Sequence, residues 1–127
     1  MTEEEVNFKQ DIKDLGCIKE HSLFLKELVD KNFFESETAA AKFAIAIAIK
    51  EKSCSPSKTQ KNRVTKFASN SFDSDKNLSN IVKLVYKNSS MVKFPHRIIE
   101  NLLGQGLDIL HKEFDGNDEF SLSDYIN

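Results

Sequence analysis

Residues 36–52 read SETAAAKFAIAIAIKEK, and three structures compete for them. Phe43, Ile45, Ile47 and Ile49 alternate with Ala44, Ala46 and Ala48, which is the period of a half-buried strand. The apolar run 39–49 is about half the roughly 20 residues needed to span a bilayer, and Lys42 interrupts it. The remaining signals belong to a helix. Ser36 can accept a hydrogen bond from a free N–H of a first turn. Glu37 follows where the helix dipole favours an acid, and Lys50 and Lys52 stand where it favours cations. Six alanines, the best helix formers, lie between residues 39 and 48. Caps, alanines and length outweigh the alternation, so the stretch is read as a helix. Ile45 and Ile49 share one face while Phe43 and Ile47 lie on others. Such a helix is apolar nearly all round and must be enclosed by its neighbours.

The elements to enclose it are legible on either side. Ile18, Phe24 or Leu25, Leu28 and Val29 recur at helical spacing over about 19–31, with Asn32 to end the helix and Phe33 and Phe34 to dock the turn. Leu78, Ile81, Val82, Val85 and Tyr86 predict a helix over about 76–87, capped by Ser74 or Asp75. Pro95 suits a first helical position. After it Ile98, Ile99, Leu102, Leu103, Gly106, Leu107 and Leu110 form the cleanest stripe in the chain. Gly106 lies on that stripe, which implies close approach to another backbone, that of the alanine-rich helix. Residues 53–63 read as a loop, 64–68 as a short extended piece, and the tail as a turn at Asp115 and Gly116 followed by a last short helix. The expected architecture is all-α: four to five helices in a compact bundle around the alanine-rich one. Residues 1–17 are expected to form a partly ordered acidic arm, and 18–127 a single domain.

A chain of 127 residues, 39% hydrophobic and 30% charged with mean hydropathy −0.44, suits one soluble domain. Ten Phe and no Trp point to a core of Phe, Ile and Leu. The acidic start MTEEEVNFKQ is unlike a signal peptide, so a reducing cytoplasmic setting is expected. Cys17 and Cys54 fit no metal or redox spacing. His96 and His111 would stand about 22 Å apart along one helix, too far to share a metal. Each histidine, His21 included, reads as a surface or boundary residue. No catalytic, metal-binding or cofactor-binding set emerges. Net charge of −2 carries no nucleic-acid signal, but its distribution is uneven. Lys50, Lys52, Lys58, Lys61, Arg63 and Lys66 face one acid, Glu51, in their stretch. Residues 108–127 are acidic. The basic run is therefore the candidate contact for nucleic-acid phosphate or for an acidic protein partner, including the tail of a neighbouring copy in a homo-oligomer.

The order FLKELVDKNFFESETAAAKFAIAIAIKEK, SFDSDKNLSNIVKLVY, IIENLLGQGLDILHKEF resembles small bacterial accessory proteins encoded with DNA phosphorothioation and other phage-defence gene clusters. Those proteins have a similar alanine-rich helix before a basic loop and a late helix like FEEYANGGLEIL, matched by residues 99–110. This chain has Leu102, Leu103, Gly104, Gln105 and Gly106 where that pattern has an aromatic, Ala, Asn and paired Gly. The resemblance implies a non-catalytic accessory or adaptor protein and no catalytic residues. In outline, a strand followed by two helices is also similar to ribbon-helix-helix DNA-binding regulators, although MTEEEVNFKQ holds no basic alternating strand. A small enzyme is the remaining alternative.

Overall fold

The chain is described here by a computed structural model of residues 10–51 and 63–115. Residues 36–52 are settled first. Helix α2 spans Glu37–Lys50, and Ser36 caps it by accepting the Ala39 N–H at 3.0 Å. Ala40, Ala41, Ala44, Ile45, Ile47 and Ala48 are buried, and Phe43 and Ile49 half-buried, on several faces of one helix. The large-small alternation is thus a packing device. Large residues fill space and alanines let other backbones approach.

Helix α1, Lys19–Asp30, precedes it and buries Phe24, Leu25 and Leu28. Asn32 ends α1 in the left-handed region, with φ 63°. The Asn32 N–H reaches the Val29 carbonyl and the Phe33 N–H the Leu28 carbonyl, both at 2.9 Å. This is a Schellman turn with asparagine at its left-handed position. The longest helix, here α5, runs Pro95–Asp115 and packs most extensively on α2. Their seam closes at Gly106, where an added Cβ would stand 1.8 Å from the Ala44 carbonyl oxygen. Ile98, Ile99, Leu103, Leu107 and Leu110 are wholly buried along the same seam. Each such side chain contributes roughly 1.5–3 kcal/mol relative to exposure.

Two strands complete the fold. Strand β1, Asp14–Ile18, pairs antiparallel with β2, Arg63–Ala68, with a register shift between Leu15 and Gly16. The extended piece expected near 64–68 is therefore one half of a two-stranded sheet. Residues 14–17 differ from the expected arm, because Leu15 and Cys17 are wholly buried in the main core. The order β1–α1–α2 has the outline of the ribbon-helix-helix arrangement, but β1 pairs with β2 of its own chain. A single-turn helix α3, Ser69–Phe72, leads to α4, Asn77–Val85. Among the described residues the protein is thus mostly helical, with five helices and this small sheet. No helix among them is long and apolar enough to cross a membrane. The expected tail helix and the turn after Asp115 lie outside the described residues.

Candidate functional site

Three of the six expected basic contact residues, Lys52, Lys58 and Lys61, lie outside the described residues, as does Cys54. The other three have different surroundings. Lys50 stands exposed in the last turn of α2. Arg63 is turned inward: its Nε donates to Glu100 Oε1 at 2.8 Å, and its Nη2 donates to the Asp14 carbonyl. The same Glu100 oxygen accepts the buried Gly16 N–H at 2.8 Å. One carboxylate on α5 thereby ties both strands to the helix. Lys66 pairs with Glu37 at 2.6 Å, joining β2 to the first turn of α2. These two cations hold elements of the fold together.

A second polar centre lies where α4 meets the start of α5. Asp73 caps α4, accepting the N–H groups of Leu78 at 3.0 Å and Ser79 at 3.2 Å, together with the Ser79 hydroxyl. The main capping carboxylate is thus Asp73, while Asp75 accepts the Asn77 backbone N–H at 3.0 Å and the Asn77 side-chain amide at 2.9 Å. Asp11 caps α5 from outside, accepting the N–H of His96 at 2.8 Å and of Arg97 at 3.0 Å. His96 lies between these carboxylates, its Nε2 3.2 Å from Asp73 and its Nδ1 3.5 Å from Asp11. It is buried, contrary to the expectation for the histidines. Partners from two distant segments satisfy its ring and make burial tolerable. His21 is buried too, 3.8 Å from Asp108, and burial pushes its ring below the ordinary value. His111 is half-buried and stacks on Phe24 at 4.4 Å.

Ser79, His96 and the aspartates are the residue types of a nucleophile–base–acid relay. Their geometry is that of a cap. Ser79 is buried and gives its hydroxyl proton to Asp73, while Ser79 and Asp73 crowd the same ring nitrogen, at 3.4 and 3.2 Å. Asp11 stands at the opposite ring nitrogen, but a relay's serine gives its proton to the imidazole, and the Ser79 hydroxyl gives it to Asp73 instead. Cys17 is buried in the core, and burial pushes its thiol up to about 11, away from thiolate chemistry. Among the described residues no group of His, Cys, Asp or Glu is arranged to hold a metal.

Beside this centre opens a cleft of about 540 Å³, whose lining includes Asp11, Lys13, Asn70, Lys76, Lys83 and His96. Among the described residues, the outer side of α4 carries the largest cluster of exposed apolar side chains. Ile81, Leu84 and Val85 are 44%, 73% and 50% exposed and share one helix face. Asn80 and Lys83 stand exposed on α4 beside it, and Lys76 and Lys87 flank the two ends of the helix. From residue 76 to residue 99 the chain carries Lys76, Lys83, Lys87, Lys93 and Arg97 and no acid. Sequence reasoning put Leu78, Ile81, Val82, Val85 and Tyr86 on one helix face, without Leu84, and overlooked this second basic run. The unbroken absence of Asp and Glu was the available signal. No family model, curated protein or solved structure matches this chain.

Proposed function

We propose that this protein is a non-catalytic accessory protein of the bacterial cytoplasm that acts by docking an acidic protein partner on the outer face of α4. The DNA-modification and phage-defence systems that its sequence resembles are the setting. One observation carries the reading: lysines border the exposed face of Ile81, Leu84 and Val85. Large apolar side chains grouped in the open mark interaction surfaces. A border of lysines favours a helix with its own apolar stripe and flanking carboxylates. It disfavours a second copy presenting the same face, since lysines would meet lysines. Nucleic acid would use the lysines but leave the apolar face in water.

The probe is a synthetic helical peptide with leucines at i, i+3, i+4 and i+7 and glutamates on the flanks. It should bind with an affinity that falls as salt rises. Leu84→Asp and Lys83→Glu should each weaken binding about tenfold or more, with an unchanged melting temperature. Absence of binding by the parent, or binding by both variants as tight as the parent's, overturns the docking reading. The second reading is a nucleic-acid contact, and the exposed Lys50 beside the basic segment favours it. It requires a duplex gel shift that weakens with salt and with Lys50→Ala.

A further inference from the structure

We propose that the cleft between Lys13, α4 and the start of α5 binds a phosphate group carried by a small phosphorylated molecule. The cleft has the volume of a small-ligand site. Its lining sets Lys13, Lys76 and Lys83 against one carboxylate, Asp11. That carboxylate is already engaged by the N–H groups of His96 and Arg97, and also accepts the Ile12 N–H at 2.9 Å. Asp73 behind it is engaged by α4 and fully shielded from solvent. Asp11 is thus held by backbone N–H groups, and the three lysine ammonium groups of the lining outnumber it by two. Two positive charges in excess match a phosphate monoester, which carries close to −2 at neutral pH. A carboxylate ligand would leave one uncompensated.

The remaining lining groups supply directed donors. Asn70 and Asn80 are exposed, and their amides can each give two N–H bonds. A tetrahedral anion with several oxygens can use such donors from different sides, where a planar carboxylate cannot. Lys76 reaches the cleft from a left-handed backbone position at φ 63°, a conformation that side-chain-bearing residues adopt at a cost. Beneath the cleft, the His96–Asp73–Asp11 network fixes the spacing between α4 and α5. A phosphate would therefore meet an arrangement held before it arrives.

The cleft shares Lys76, Asn80 and Lys83 with the docking face, and Lys13 and Asn70, which lie off α4, separate the two readings. The test is an NMR titration of the full chain at low salt with inorganic phosphate, then with adenosine monophosphate, then with a short DNA duplex. Saturable shifts should appear at Lys13, Asn70, Asn80 and Lys83 with phosphate and with the nucleotide. The Lys13→Ala/Asn70→Ala double variant should lose about tenfold or more in affinity for both. Both side chains are exposed, so it should melt like the parent and still bind the acidic peptide. Three outcomes overturn the inference: no saturation at millimolar phosphate or nucleotide, affinity unchanged in the double variant, or shifts around Lys50 alone. Duplex binding in the cleft without binding of the small phosphates also overturns it.

Discussion

The α2–α5 seam and the edge made by α4 are both built from helical apolar stripes, yet they end in opposite conditions. At the seam, alanine on one helix and glycine on the other let the backbones meet, and every large side chain between them is covered. On α4 the stripe is split. Val82 is buried and Leu78 half-buried, while Ile81, Leu84 and Val85 face outward. The seam spends its apolar surface on folding. The edge keeps part of it for something else. Small residues explain the difference, because only a helix with alanines at its contacts can be approached from several directions at once. Helix α4 has no alanine and is covered on one side only.

The sharpest way to break this contrast is Gly106→Ala. Its Cβ would fall on the Ala44 carbonyl, a backbone atom that cannot swing aside. Alanine regains about 1 kcal/mol of helix propensity, and a net loss of about 3 kcal/mol should appear in urea unfolding. Unchanged stability would show that the seam is looser than described.

A smaller loss is expected where the sheet joins α5. Glu100→Ala removes the carboxylate that accepts the buried Gly16 N–H and the Arg63 Nε–H. It should cost about 2 kcal/mol. Hydrogen exchange should show the β1–β2 amides opening before those of the α2–α5 seam.

The smallest effect depends on pH. Burial holds the His21 ring below its ordinary value of 6.5; the Asp108 carboxylate opposes this and His111 adds to it. The unfolded ring therefore takes up a proton more readily than the folded one. Stability is retained above that ordinary value and declines as pH falls below it, until the folded ring is also protonated. His21→Phe should flatten the acid side of the stability profile between wild-type and variant melts. A profile that keeps its slope would assign the acid sensitivity to another group.

Local signals carried most of the helical architecture. The alanines and Ser36 specified α2, Asn32 marked the end of α1, Pro95 opened α5, and Gly106 pointed to the close contact at Ala44. Strand β1 was not legible. DLGCI is five residues long, contains glycine and shows no clear alternation, and its partner lies far along the chain. The candidate site was legible only in part. Lysines and arginines at 50–66 were visible as charge, but the carboxylates that engage Arg63 and Lys66 come from other elements.

What the sequence determined by itself was where the chain would be helical and which helix had to be enclosed. Those depend on neighbours three or four positions away, and a linear pattern records them. Only the tertiary structure decided which charges were committed and which remained. Glu100 reaches Arg63 from α5, Asp11 reaches the first turn of α5 from the N-terminal side, and nothing in composition announces either contact. A charge is free or engaged according to what stands within about 4 Å of it, and for these residues that neighbour comes from a different element.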